Sequence, residues 1–296
     1  MAETVQTYQV PEHHVKAFTN NVLMAVQRKG GKLRSLVTTG SYVGEDAQAV
    51  DYVGPAEFGE RTTRLADTVL SEFEHKQRWI EPKDYDFAVM VDRLDKLRML
   101  YDPMSPYVEA ARMGAARKED DAIIAKFFAT ARTGKLGTTN TAYNANNTVA
   151  VGTTGLSVAK LRAMRKLILT NEIDLETEQA YCGATAQQLD DLLGETQVTS
   201  SDYAAVKALV DGNVSRFMGF EFVRLEAWPT TGTTPNATRS LPVWVKGGMH
   251  LGDWQTLNTM ITPRPDKNNL PQLHMSMSFG ATRLDELKVY KIDCKY

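Results

Sequence analysis

The chain has 296 residues, 43% hydrophobic and 24% charged, with 34 basic against 36 acidic side chains and a formal net charge of −2. This composition excludes disordered, collagenous and coiled-coil classes, and the balanced charge excludes a dedicated sequence-independent nucleic-acid binder, which needs a positive excess. Cys182 and Cys294 are the only cysteines and make no disulfide framework, and no apolar run approaches the roughly 18 residues that cross a bilayer.

The first segment reads as a helix, because Val15, Phe18, Val22 and Val26 recur at helical spacing before Gly30-Gly31. A basic stretch follows with Arg28, Lys29, Lys32 and Arg34. Two readings stand for it: a solvated face that suits the helix C-terminal dipole, or an arm laid on an acidic neighbour. Over 47–91 two extended runs, interrupted by Gly54-Pro55 and Gly59, suggest a long hairpin. In its second run Phe73, His75, Gln77 and Trp79 alternate with Glu72, Glu74, Lys76 and Arg78. Both faces carry polar groups, so this hairpin has little to bury alone. Either its own domain or a neighbouring subunit covers it. Arg61 and Arg64 flank its tip and are placed to pair with acidic groups on another subunit.

A charge-dense stretch, Asp84 to Asp102, leads to Pro103 and Pro106. From Pro106 a helix is expected to about Ala131, on the order of 35–40 Å at 1.5 Å per residue. Tyr107, Ala111, Ala115, Ala122 and Ala125 trace one face, Ile123, Ile124, Phe127 and Phe128 close it, and Glu119-Asp120-Asp121 reads as a solvated cluster. Thr133 to Thr154 is loop with a short strand at Thr148–Val151. The next helix, Ser157 to about Asn171, turns Leu161, Met164 and Ile168 inward and Lys160, Arg162, Arg165 and Lys166 outward. Thr185 with Gln188 fits a capping box for a short helix ended by Gly194, and Ser200–Asp211 is a further helix. The rest is strand-like: Phe217 to Trp228, a surface loop over 230–240, and Pro242–Met249. At the end, Leu273, Met275, Met277 and Phe279 alternate with polar residues, as do Tyr290, Ile292 and Cys294, which reads as a half-buried strand pair.

Catalytic patterns are missing. Gly134-Lys135-Leu136-Gly137-Thr138-Thr139 lacks phosphate-loop spacing and reads as a turn. No G-x-G-x-x-G, G-x-S-x-G, H-E-x-x-H or C-x-x-C occurs. Cys182 with a distant histidine is the one nucleophile arrangement to weigh, against a small buried cysteine. No nucleophile, base and orienter assemble, so neither enzyme, metal nor cofactor is expected.

Three C-terminal phrases carry a resemblance: Phe220-Glu221-Phe222-Val223, the run Pro242-Val243-Trp244-Val245-Lys246-Gly247-Gly248-Met249-His250-Leu251-Gly252-Asp253-Trp254, and Ser278-Phe279-Gly280-Ala281-Thr282-Arg283-Leu284. With Arg28-Lys29-Gly30-Gly31-Lys32-Leu33-Arg34 and Asp102-Pro103 upstream, the whole chain resembles the major capsid proteins of tailed double-stranded DNA bacteriophages. The resemblance implies an α+β, Hong Kong 97-like capsid fold. Its parts would be an N-terminal arm (1–46), an extended β-hairpin loop (47–91) lying across a neighbour, a peripheral domain with a long spine helix (92–155), an axial domain (156–269), and C-terminal strands (270–296) returning to the peripheral domain.

It also implies a virion shell protein, assembled in the host bacterial cytoplasm, whose copies form hexamers and pentamers through heterologous contacts. Portal and cement proteins would be partners, and packaged double-stranded DNA would be enclosed without sequence-specific binding; no membrane is involved. The arm-like helix starts near residue 12, so a separate scaffolding protein is expected. Arg61, Arg64, Phe73 and Trp79 on the loop, and Arg28, Lys32 and Arg34 on the arm, are the candidate intersubunit contacts. The rival readings are the shell of an encapsulin-type nanocompartment and, further off, a soluble cysteine hydrolase.

Overall fold

A computed structural model of the chain describes residues 31–44, 48–54, 56, 58, 60, 64, 73, 75–90, 104–195, 216–231 and 237–295. The helices expected over 15–26 and 200–211, and the residues Arg28 and Arg61, lie outside these. In chain order the strands and helices are β1 (Thr38–Ser41), β2 (Gln48–Val53), β3 (His75–Ile80), β4 (Lys83–Met90), α1 (Met104–Lys126), β5 (Ala131–Thr133), β6 (Thr139–Thr141) and β7 (Thr148–Val149). They continue with α2 (Val158–Thr170), β8 (Ala180–Ala184), α3 (Ala186–Leu193), β9 (Arg216–Phe217), β10 (Phe220–Arg224), β11 (Thr230–Thr231), β12 (Thr238–Val245), β13 (Met249–Arg264), β14 (Leu270–Arg283) and β15 (Val289–Lys295).

Among the described residues these strands form three sheets. One has the order β1-β13-β14-β4; a seven-stranded sheet runs β7-β15-β12-β8-β10-β9 with β11 paired to β12; the third runs β2-β3-β5-β6. The alternating runs at the C-terminus are both strands, as their period of two requires. They are not a pair, however: β14 lies between β13 and β4, whereas β15 lies between β12 and β7. Periodicity reports that a face is buried but not which partner buries it. The hairpin forms as its alternation implies, with Gln48 opposite Ile80 and Val53 opposite His75. The strand after it, β4, leaves the hairpin and pairs antiparallel with β14.

The spine helix α1 begins two residues before Pro106, which still falls in the first turn, where its missing N–H has no intrahelical partner to lose. With 23 residues it is about 35 Å long. It ends at Lys126 rather than near Ala131, because the chain turns there to drive Phe127 into the core and then enters β5. The helix docks by its C-terminal half, where Ile123 and Ile124 are buried, whereas Tyr107 near its start is exposed; Ala125, expected on the same face, turns outward. Small alanines on several sides blur its apolar face.

The main core joins α1, α2 and the seven-stranded sheet. Leu161, Met164 and Ile168 of α2 are fully buried, as their spacing predicts. Ser157 caps that helix by accepting from Lys160 N, and the capping box of Thr185 and Gln188 opens α3. Two polar side chains depart from expectation. Lys160 is buried, not outward: its ammonium donates to the carbonyls of Val151, Thr154 and Asp293 at 2.8, 2.7 and 3.0 Å, filling all three donors. Asp120 is also buried, as described below. The stretch Phe217–Trp228 folds back at Met218-Gly219, both at positive φ (55° and 90°), the geometry of a two-residue hairpin turn.

Candidate functional site

Two joints determine how the extended parts of the chain are carried: a clasp that holds the arm and a base that holds the hairpin. At the clasp, Asp120 of α1 sits with no exposed surface and accepts from the backbone N–H of Leu33 at 3.0 Å and of Lys32 at 3.3 Å. Beside it, Arg34 pairs with Glu119 at 3.1 Å and with Asp253 of β13. Burial pushes the Glu119 carboxyl up, and Arg34 opposes this. Lys32 Nζ donates to Arg224 O at 2.9 Å. Arg34 and the Lys32 and Leu33 backbone thus bond to acidic groups of the same chain, and of the cluster Glu119-Asp120-Asp121 only Asp121 is exposed. Carboxylates adjacent in sequence point different ways on a helix, and here Glu119 and Asp120 reach the arm while Asp121 faces outward.

Beyond these charges, Leu33 and Val37 enter the core, and Trp244 Nε1 donates to Leu36 O at 3.1 Å. The arm then continues as β1, parallel to β13, with Thr38 opposite His250 and Ser41 opposite Asp253. A single line of hydrogen bonds fixes the His250 tautomer. Thr38 Oγ1 donates to Met249 O at 2.8 Å, so it accepts from His250 Nδ1–H at 2.8 Å, and His250 Nε2 accepts from Tyr42 O–H at 2.7 Å. Gly252 admits the arm: a Cβ there would come within 2.8 Å of the Tyr42 ring.

Burial lowers the pKa of His250 from its ordinary 6.5, with Asp253 pulling the other way. Asp253 is in turn paired with Arg34 and, through it, Glu119. The folded chain thus binds fewer protons here than the unfolded one, so the contribution is complete above about pH 6.5 and is lost as pH falls from there toward the lower folded value. Thermal unfolding of wild type and His250→Gln is expected to show a stability gap at pH 7.5 that narrows toward pH 5. A gap independent of pH would contradict this.

At the hairpin base, Trp79 lies on the turn between β5 and β6. Its Nε1 donates to Gly134 O at 2.6 Å, and a Cβ at Gly137, whose φ is 63°, would sit 3.0 Å from its ring. The Gly134–Gly137 stretch is a turn, closed by Gly137 N to Gly134 O at 3.0 Å. Arg78 is buried beside Glu286 and Arg283; burial lowers its pKa, Glu286 raises it, and Arg283 lowers it further. Arg132 pairs with Glu81 across the sheet. Phe73 is 55% exposed, and Arg64 is exposed near the tip.

Of the seven residues singled out in the sequence, Lys32, Arg34 and Trp79 therefore have polar groups bonded within the chain, while Phe73 and Arg64 sit on its surface. Asp120, His250, Asp253, Arg78, Arg283 and Glu286 were not singled out for a role. A signal for two of them existed: Asp253 and Arg283 are charged residues inside otherwise apolar strand phrases, where a charge has to be paired.

No nucleophile is available at Cys182. It and Cys294 are both buried and free, and burial pushes both thiols up, Cys294 to about 12. Among the described residues no three His, Cys, Asp or Glu side chains group as a metal site would require, and no helix is long and apolar enough to cross a membrane.

A family model described as phage capsid protein matches residues 10–296. Among solved structures, the capsid structure of the Cyanophage P-SCSP1u superposes with a TM-score of 0.75 at 17% identity, covering 96% of this chain and 93% of that one. The capsid asymmetric unit of Cyanophage Pam1 gives a TM-score of 0.71 at 12% identity over 100% and 99% of the two chains. The capsid of a native GTA particle gives 0.68 at 16% over 97% and 98%. No curated protein matches the chain.

Proposed function

The chain belongs to the phage capsid protein family, a major capsid protein of the virion and not an enzyme, and from that premise we propose how its copies meet to build the shell. The fold is Hong Kong 97-like, as its likeness to capsid structures over nearly its full length shows. Copies join as hexamers and pentamers, since one face of each chain meeting a different face of the next closes into rings. Residues 1–46 act as arm and 47–91 as extended loop, whose last strand β4 returns to the body by pairing with β14; 92–155 with β14 makes the peripheral part, and 156–269, joined by β15 through its pairing with β12, the part near the capsomer centre.

The observation that carries this reading is the hairpin. It is an antiparallel ribbon held at its base, and Val53, Phe58 and Phe73 remain 52%, 99% and 55% exposed in the single chain. Apolar rings on an extension that a lone ribbon has no means to cover fit a neighbour's surface. Phe73, Arg61 and Arg64 are the loop contacts we assign to that neighbour, and Arg28 the arm contact. Lys32, Arg34 and Trp79 serve by holding the arm and the loop base where neighbours find them.

A near-neutral chain suits a wall around packaged double-stranded DNA that it must not grip. A separate scaffolding protein, a portal and cement proteins complete the particle, and assembly takes place in the cytoplasm of the bacterial host. Electron microscopy of the purified full chain, alone and co-expressed with a scaffold, tests this: closed icosahedral particles are the expected result, and their absence under both conditions would refute the reading. Correctly sized shells from the chain alone would remove the scaffold.

The contact assignment has its own test. Arg61→Glu together with Arg64→Glu is expected to leave chain unfolding within about 0.5 kcal/mol of wild type, as for most surface changes, while shell yield falls sharply. Undiminished yield and shell stability would sink it.

A further inference from the structure

The hairpin sheet and the body of the fold meet at one carboxylate. Glu286 Oε1 accepts from Arg78 Nη2 at 3.0 Å, and its Oε2 accepts from Arg283 Nε at 2.7 Å. Arg78 belongs to β3, and its Nε also donates to Leu284 O at 2.9 Å. Arg283 ends β14, and its Nη1 donates to the carbonyls of Phe127 and Ala129 at 2.8 and 2.9 Å, where the chain passes from α1 toward β5. Each oxygen of one side chain thus holds a different module.

Arg78 and Arg283 are only 4% and 1% exposed. Arg78 Nη1 and Arg283 Nη2 have no hydrogen-bond partner among the described residues, so Glu286 is the shared counter-charge for two buried like charges. A buried ionic group of this kind is a weak source of net stability, since apolar residues of the same volume often do as well or better; what it supplies is geometry.

Packing fixes the end of β3, where Ile80 and Glu81 lie against Gly280 of β14, but not the strand beyond it. A cleft of about 810 Å³ opens on the face of the hairpin sheet, lined by His75, Gln77, Arg78 and Thr133 of that sheet and Lys135 of its turn, and closed on the body side by Glu286. Ile80 is buried at the end of β3, but Trp79 rests on the β5–β6 turn, which is part of the hairpin sheet itself. Away from that packed end, the Arg78 guanidinium bonds β3 to the body.

We infer that Glu286 is a positioning residue: through Arg78 it sets the angle at which the hairpin leaves the body, and so whether a chain can lie across its neighbour. The assembly half of this inference rests on the shell role proposed above. The positioning half does not, and it is read on the unassembled full-length chain.

Hydrogen exchange is measured on wild type, Arg78→Met and Glu286→Gln, with near-UV circular dichroism reporting the tryptophans of the core. Arg78→Met leaves Glu286 and Arg283 as a neutral pair, so the body is expected to stay intact. Exchange in Gln48–Val53 and His75–Ile80 is expected to speed by about tenfold or more, the loss that follows from removing bonds to a charged group, with Thr238–Val245 and Val289–Lys295 unchanged. Glu286→Gln is expected to loosen the hairpin as much and the body slightly, and shell yield in both variants follows hairpin protection. Unchanged hairpin exchange in Arg78→Met, or hairpin and body loosening to the same extent, would overturn the inference. If wild type itself forms no particles, the shell reading fails, while the exchange comparison still decides the positioning role.

Discussion

Gly280→Ala is expected to destabilise the chain by about 3 kcal/mol or more and to abolish shell formation, although it adds a single methyl group. Gly280 sits in β14 opposite Gly252 of β13. On its open side the connection between β3 and β4 crosses the strand so closely that a Cβ would overlap the Glu81 carbonyl oxygen and lie 2.8 Å from Ile80 Cγ2. A backbone carbonyl cannot swing aside as a flexible side chain does, so the crossing segment has to lift. Lifting it withdraws Ile80 from the core and pulls β4 away from its register, in which Lys83 faces Phe279. The control is Gly114→Ala: that glycine lies inside α1, its Cβ would meet only the far end of Arg117 at 3.6 Å, and helix propensity favours alanine by up to about 1 kcal/mol. Thermal unfolding of the two variants should move in opposite directions. Gly280→Ala within 1 kcal/mol of wild type would show that the crossing is not rigid.

Gly280 also marks how far the fold is legible in the amino-acid sequence. The phrase around it carries the family resemblance, and physically it is where two backbones touch and where Arg283 ties α1 to β14. The strands of the C-terminal half are legible because burial of one face imposes a period of two, and α2 because Leu161, Met164 and Ile168 repeat at helical spacing. Sheet membership is not legible: β14 and β15 show the same alternation and join different sheets, since pattern marks a buried face and not its partner.

The joints are harder still. Asp120 reads as part of a solvated run, because sequence adjacency hides that residues one apart on a helix face different ways. Its partners, the N–H groups of Lys32 and Leu33, lie 88 and 87 positions away and are backbone groups that no residue identity announces. Glu286 likewise has no signal of its own; its role comes from the two arginines that β3 and β14 bring to it. The extended parts are thus held by single apolar anchors, Leu33, Val37 and Ile80, together with polar bonds distant in sequence, whereas the body is held by apolar periodicity. Legibility follows that division.

Phe127→Ala is the second large effect, at about 3–5 kcal/mol, the range for truncating a fully buried aromatic ring. Phe127 follows the last helical residue of α1, so helix propensity plays no part at this position and the cost is one of packing. Its ring has no exposed surface and packs, tilted or edge-on, against Trp244, Trp228 and Phe128 at centroid separations of 4.9, 6.3 and 6.3 Å. Trp244 in turn packs on Tyr181 of β8 and donates its indole N–H to Leu36 of the arm. The cavity left by Phe127 therefore opens where spine helix, seven-stranded sheet and arm meet, with a large rigid ring on the far side that cannot collapse into it without losing its own hydrogen bond. The Phe127 carbonyl, which receives Arg283, stays in place in the variant, so the backbone path from α1 to β5 is expected to survive. Near-UV circular dichroism should consequently lose tryptophan signal before far-UV helix content falls, and thermal unfolding should drop by at least several degrees. Retention of the wild-type tryptophan signal and midpoint would mean that the aromatic group is not the junction of the three parts.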